Sequence, residues 1–151
     1  MTIARIGLWV LVVAVLAAGS TAWAQSRADV TIYAPGRLKE PLEELAREFE
    51  RQGRAKATLV YDPGPELARR IEQGAAADLL ISDDPASLDM LAKQGLIRIE
   101  TRVSLVKGAE RSYRAAVVAS TRSKTTYDYL RYLRSQAAQA VWERHGFSAS
   151  D

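Results

Sequence analysis

The sequence predicts an α/β fold in which a mostly parallel sheet is flanked by helices. Short apolar runs alternate three times with amphipathic stretches of helical period, and few residues are left over for linkers. Glycines and prolines mark the boundaries between these units. Because parallel strands need a crossover connection, which is usually a helix, this β-α-β-α-β-α order favours a parallel sheet with helices on its faces.

The first unit has its strand at residues 29–34 (DVTIYA) and its helix at residues 38–52. Pro41 falls in the first turn of that helix, where its missing N–H costs little. Apolar residues recur along the helix at spacings of three and four: Leu38, Leu42, Leu45 and Phe49. This spacing predicts one buried helix face.

The next two units repeat the pattern. Residues 56–61 (KATLVY) form the second predicted strand, and residues 65–73 a helix that Gly74 closes. The third strand is the short apolar run at residues 78–82 (DLLIS), followed by a helix at residues 85–94. The alternation then ends.

Two strand-like runs follow, at residues 101–106 (TRVSLV) and 113–120 (YRAAVVAS), with the polar KGAERS between them. They are either a hairpin or two neighbouring strands. Because KGAERS is too short to hold a domain, both runs should lie in the same sheet as the first three strands. The tail at residues 124–144 is predicted to be helical with a break near Ser135.

Residues 1–24 are predicted to be a signal peptide. A charged start, MTIAR, precedes the uncharged run IGLWVLVVAVLAA, and Ala22-Trp23-Ala24 has the small-x-small pattern of a cleavage site. Cleavage after Ala24 would leave residues 25–151 as a single periplasmic domain, with membrane contact only through the removed segment. The alternative is an uncleaved anchor, since the uncharged span approaches the ~20 residues that cross a bilayer.

The composition excludes several classes of function. Lys and Arg number 21 against 18 Asp and Glu, and no basic block stands alone, so an exported chain of this kind is not expected to bind nucleic acid. The absence of cysteine excludes disulfides, thiol catalysis and cysteine-ligated metal. No catalytic or cofactor motif is present, so we expect neither an enzyme nor a cofactor.

Several stretches together resemble one family. They are ADVTIYAPGRLKEPLEELAREFE, ATLVYDPGPELARRIEQGAAADLLISDDPASLDMLAKQGLI, TRVSL, and YRAAVVAS with YLRYLRSQAAQAVWERHGF. The sequence is similar to the periplasmic molybdate-binding proteins of bacterial ABC uptake systems. The resemblance implies a type II periplasmic-binding-protein fold, in which two lobes close on a tetrahedral oxyanion held by hydroxyl and backbone N–H donors at helix N-termini.

The sequence departs from this family in three ways. The resemblance implies a serine at two strand–helix junctions, where this chain has Arg37 and Gly64. Asp62, Asp83 and Asp84 bring negative charge to the same strand ends. The family also inserts a second lobe of roughly a hundred residues, of ordinary domain size, where this chain has only KGAERS. A shortened, single-lobe member is therefore predicted.

Each predicted ligand-binding residue also has a structural alternative. Arg37 is a clamp on an oxyanion, an ordinary surface residue, or the partner of Asp62, Asp83 or Asp84 in an ion pair. Gly64 either donates its backbone N–H to an anion or forms a tight turn. The three aspartates could form an acid–base pair or a site for a hard cation, but a structural role is favoured. Asp84, for example, directly precedes Pro85, which is the position of a helix N-cap.

The predicted function is that of a periplasmic solute-binding protein for an ABC importer. Its ligand would be an oxyanion such as molybdate or tungstate, bound weakly or not at all, and its partner an ABC permease. The alternative is an accessory module that uses the lobe to dock an exported partner protein. His145, beside Gly146 at the end of the last helix, is assigned a structural role.

Overall fold

A computed structural model describes residues 29–150 of the chain. The predicted signal peptide lies outside these residues. Among residues 29–150, no helix has the length and apolar character needed to cross a bilayer. The strands are β1 (Val30–Ala34), β2 (Ala57–Tyr61), β3 (Leu79–Ser82), β4 (Val103–Lys107), β5 (Ser112–Val117) and β6 (Ser148–Ala149). The helices are α1 (Lys39–Arg51), α2 (Gly64–Glu72), α3 (Pro85–Lys93), α4 (Lys124–Leu133) and α5 (Gln136–Arg144).

Within residues 29–150 the strands form one six-stranded sheet in the order β2-β1-β3-β5-β4-β6. β1 lies between β2 and β3 and pairs with both in parallel, as the alternating pattern predicted. The other half is antiparallel, since β5 pairs with β3 and β4, and β4 pairs with β6. The α/β prediction is confirmed, and β4 and β5 form the hairpin that was one of the two expected arrangements.

The helices pack on both faces of the sheet. Neighbouring residues of a strand point to opposite faces, so Ile32 joins the core under α1, α4 and α5, while Tyr33 joins the core under α2 and α3. The same division separates Ile81 from Leu80 on β3. This three-layer arrangement explains why the central strands are apolar throughout rather than alternating.

Two local features differ from the sequence prediction. The first helix does not begin directly at residue 38, because Gly36–Leu38 forms a separate 3₁₀ turn ahead of α1. The short strand β6 was not predicted. The break near Ser135 is confirmed, and the Ser135 hydroxyl accepts a hydrogen bond from Ala138 N at 3.2 Å to cap α5.

Candidate functional site

A cleft of about 780 Å³ lies at the edge of the sheet where the three parallel strands end. Edges of this kind are the usual ligand sites of open α/β sheets. All five residues predicted from the sequence line this cleft: Arg37, Asp62, Gly64, Asp83 and Asp84. The structure therefore brings these five residues together around one cleft, and their role in ligand binding stays a prediction.

Two strand–helix junctions line the cleft, and each begins with backbone amides that precede the first hydrogen bond of its helical turn. In the 3₁₀ turn, Leu38 N donates to Pro35 O at 3.0 Å, so the earlier amides of Gly36 and Arg37 have no acceptor within the turn. At the start of α2, Glu66 N and Leu67 N both donate to Pro63 O, and the amide of Gly64 precedes them. These first amides are the groups that a helix start offers to an anion.

Gly64 is buried and is the first residue of α2, so it belongs to the helix and not to a separate turn before it. A Cβ atom at this position would lie 2.8 Å from the Ser82 hydroxyl oxygen and 3.4 Å from Asp83 Oδ1. The Ser82 hydroxyl is itself engaged, because it accepts a hydrogen bond from Asp84 N at 3.0 Å. A side chain at position 64 would need the Ser82 hydroxyl to move, and this close approach favours glycine here.

Two of the three aspartates are neutralised by arginines. Asp62 Oδ2 lies 2.6 Å from an Nη atom of Arg70, and Asp83 Oδ2 lies 2.6 Å from one of Arg111. In the part of the chain that the structure describes, no group of three His, Cys, Asp or Glu residues is placed to hold a metal ion. The acidic side chains thus have separate partners and do not form one cluster.

Asp84 caps α3, as predicted. Its carboxylate accepts hydrogen bonds from Ala86 N and Ser87 N, each at 3.2 Å, and from the Ser87 hydroxyl. The Ser87 hydroxyl and these two amides hold the pKa of Asp84 below its ordinary value, against the opposing effect of burial. Asp84 therefore carries a charge at the edge of the cleft, but the first turn of α3 already compensates it.

Arg37 is exposed at the cleft and, within the described range 29–150, has no carboxylate within 4.0 Å. Of the alternatives for Arg37, the ion pair with an aspartate does not form, because Arg70 pairs with Asp62 and Arg111 with Asp83. Burial and Asp83 raise the pKa of Tyr113, while Arg37 and Arg111 act to lower it.

Arg111 is a cleft residue that the sequence analysis missed. It ends the turn at residues 108–111 between β4 and β5, the position at which the family resemblance places a second lobe. Ser82 of β3 lies opposite Arg114 of β5 in the antiparallel register, which brings the turn beside the end of β3. Only knowledge of this pairing would have revealed Arg111, since nothing in the local sequence marks it.

His145 lies just after α5, and its Nε2 atom is 2.9 Å from Glu44 Oε2 on α1. Hydrogen bonds from His145 and Arg144 lower the pKa of Glu44. The contact ties the C-terminal helix to the first one, consistent with the structural role expected for this residue.

Comparison with known proteins identifies the family. Residues 30–109 of the 151 match the family model described as bacterial extracellular solute-binding protein. The molybdate-binding protein ModA of Escherichia coli is 30% identical over 77 residues. That match covers 51% of this chain and 30% of ModA, so the matched region is a minor part of the relative's length.

Solved structures share the fold. The substrate binding domain of a putative molybdenum ABC transporter from Clostridium difficile superposes with a TM-score of 0.74 at 15% identity, covering 82% of this chain and 99% of that one. The periplasmic molybdate-binding protein of Azotobacter vinelandii gives 0.73 at 12% identity, covering 81% and 100%. The sulfate-binding protein SubI of Mycobacterium tuberculosis gives 0.70 at 11%, covering 82% and 88%.

At these identities the structural likeness shows the fold alone, and that fold is the periplasmic-binding-protein fold that the sequence predicted. The family itself rests on the sequence match, which spans β1 to the turn after β4. The chain belongs to the bacterial extracellular solute-binding proteins.

Proposed function

We propose that residues 25–151 form a single-lobed periplasmic solute-binding protein whose cleft takes an oxyanion for an ABC importer. The observation that carries the proposal is the arrangement at the strand ends, where Gly36 and Arg37 of the 3₁₀ turn and Gly64 at the start of α2 line one cleft. Aligned amide dipoles stabilise an anion without a full counter-charge, and a guanidinium adds directed donors. The relatives named for molybdate and sulfate support this class of ligand.

Binding should be weaker than in a two-lobed relative. The family resemblance places serine hydroxyls at positions 37 and 64, and each lost hydrogen bond to a charged group is worth about 1.5–3 kcal/mol. A single lobe also leaves one side of the anion in water, where high dielectric and salt weaken each contact. Arg37 recovers part of this loss only, because exposed ion pairs contribute about 0–1 kcal/mol.

The surface of the cleft favours solute binding over docking of a partner protein. Its rim carries the charged side chains of Arg37, Arg111 and the aspartates. In the described part of the chain, Ile99 is the large hydrophobic residue with high exposure, at 66%, and it does not line the cleft. A docking surface would instead be expected to carry a continuous apolar patch.

The test is a titration of ¹⁵N-labelled protein with molybdate, tungstate and sulfate at constant ionic strength. We expect the amide resonances of Gly36, Arg37 and Gly64 to shift with dissociation constants in the millimolar range. Arg37→Ala should weaken the effect, and Arg47→Ala, which removes an exposed arginine from α1, should not. If no anion moves these resonances, the cleft is not an oxyanion site.

A thermal melt tests the proposed weakness of binding separately. Ligand at a hundred times its dissociation constant adds about 2.7 kcal/mol to stability, which raises the midpoint of a small domain by several degrees. We expect no rise of that size with any of the three anions at millimolar concentration. A rise of several degrees that Arg37→Ala abolishes would show tight binding by the arginine and refute the weak-binding part of the proposal.

A further inference from the structure

A second cavity, of about 410 Å³, lies beside the cleft and shares Arg37 and Arg111 with it. Its other walls come from the start of α1, the turn at residues 108–111 and the segment after α5. Both volumes fall within the ~300–1,000 Å³ typical of small-molecule sites. The two arginines therefore stand at the border between two adjoining spaces.

The floor of this second cavity is aromatic and well packed. The rings of Tyr113 and Phe147 meet edge to face with centroids 5.8 Å apart, and Phe147 also meets Trp142 edge to face at 6.0 Å. A Cβ atom on Gly108 would lie 3.3 Å from the Phe147 ring, so the turn approaches this floor closely. Tyr113 is almost fully buried, so the half-buried Phe147 ring supplies the apolar contact surface of this cavity, which a bare inorganic anion would not use.

The two arginines keep donors free at the border. Asp83 engages one Nη atom of Arg111, whose side chain is still 56% exposed, and a guanidinium has five N–H groups. Arg37 has no carboxylate partner among residues 29–150, as described above. Arg37, Arg111 and Tyr113 all line the second cavity.

The second cavity also carries negative charge. Glu40 and Glu110 line this cavity but not the cleft, together with His145, whose ring is held by Glu44. These carboxylates repel an anion from the second cavity, so the part of a ligand that enters it should be uncharged. The negative charge of such a ligand is expected at the two arginines that border the cleft.

From this geometry, and resting on the proposed function of the cleft, we propose that the physiological ligand is a small organic anion. Its carboxylate or phosphoryl head lies between Arg37 and Arg111, and its short carbon body lies over Tyr113 and Phe147. A tetrahedral oxyanion consists of a central atom and its oxygens, so it satisfies the arginines but leaves the second cavity to water.

The inference is tested by calorimetric titration of the purified protein with two sets of probes. Phosphate, sulfate and molybdate are the bare anions; phosphoglycolate and glycerol 3-phosphate carry a phosphoryl head, and glycolate carries a carboxylate alone. We expect at least one organic probe to bind about ten-fold or more tightly than phosphate, which corresponds to about 1.4 kcal/mol. Comparison of glycolate with the two phosphate esters identifies the head group.

A matched pair of variants locates the organic body. Ala109 is exposed in the turn and lines the second cavity but not the cleft, so Ala109→Phe should fill the cavity and abolish the preference for the organic probe. Ala76→Phe changes an exposed loop alanine just before β3, at the opposite edge of the sheet, and should leave the preference unchanged.

The outcomes separate the two proposals. If phosphate, sulfate or molybdate binds at least as tightly as every organic probe, or if Ala109→Phe keeps the preference, the inference is wrong while oxyanion binding at the cleft stands. If neither set of probes binds, the proposed function fails together with the inference.

Discussion

The Arg111 guanidinium lies 2.6 Å from the Asp83 carboxylate, joining the turn between β4 and β5 to the end of β3. The Asp83 side chain is only 12% exposed, so water screens its charge poorly. Arg111 therefore has two competing partners, Asp83 and any anion in the cleft. The Asp83 carboxylate holds Arg111 at the cleft, and it also reduces the contribution that Arg111 can make to the affinity for an anion.

The first prediction follows from this competition. Asp83→Asn removes the negative charge that competes for Arg111, so affinity for sulfate or molybdate should rise severalfold because a nearby repulsion is lost. Asp89→Asn is the matched control, since Asp89 is also paired with an arginine, Arg102, but lies outside the cleft. Calorimetric titration measures both, and unchanged affinity in Asp83→Asn would contradict the competition.

The second prediction concerns the return of a serine to position 64. Gly64→Ser should lower the free energy of unfolding by about 1–3 kcal/mol, because its Cβ would overlap the Ser82 hydroxyl. Ser82→Ala in the same chain should remove the overlap, giving a coupling energy of about 0.5–3 kcal/mol between the two sites. Denaturant titration of the single and double variants measures this coupling.

Gly36→Ser is the control for that experiment. A Cβ at Gly36 meets nothing within 4 Å, so this substitution at the other junction should change stability little. If Gly64→Ser and Gly36→Ser cost the same, the close approach of Ser82 is not what selects glycine at position 64.

The third prediction is a pH dependence. The pKa of Asp84 is lowered in the folded protein, so its stabilisation is fully present above the ordinary value of 3.8 and is lost as pH falls through the folded pKa. Asp84→Ala should cost about 0.5–2 kcal/mol at neutral pH, as loss of an N-cap does. Asp84→Asn should keep most of the cap, because asparagine also accepts the amide hydrogen bonds.

The two Asp84 variants separate capping from charge. Urea titrations between pH 3 and 7 should show a shallower acid-side loss of stability for Asp84→Asn than for the unchanged protein, since the amide does not titrate over that range. An equally steep loss in both would mean that other carboxylates dominate the acid response.

The fourth prediction concerns export. If residues 1–24 are a cleaved signal peptide, protein recovered from the periplasm begins at Gln25. Intact mass and N-terminal sequencing check this directly. Membrane-bound material that retains Met1 would instead support the uncleaved-anchor alternative.

Local sequence was sufficient for much of the fold. The three β-α units could be predicted because an apolar strand, a helical stripe such as that of Leu42 and Leu45, and a closing glycine are all signals within a few residues. Asp84 could be assigned as a cap for the same reason, since its role depends on the next three residues.

The remaining features depend on contacts between distant segments. The two-residue strand β6 forms by pairing with the edge strand β4. Two residues are too few to show a strand periodicity in the sequence. Arg111 reaches Asp83 through the register of β3 and β5. The reason for glycine at position 64 is the position of Ser82 on another strand, which no local pattern contains.

The four-residue turn at residues 108–111 also affects how the protein folds. If β4 and β5 flanked an inserted lobe of roughly a hundred residues, their pairing would have to wait for that lobe or close a very long loop. By the logarithmic dependence of closure entropy on loop length, the short turn lowers that cost by about 3 kcal/mol. We expect the β4–β5 hairpin to pair early, so that β3 docks against a preformed ribbon and the sheet assembles from two locally folded halves.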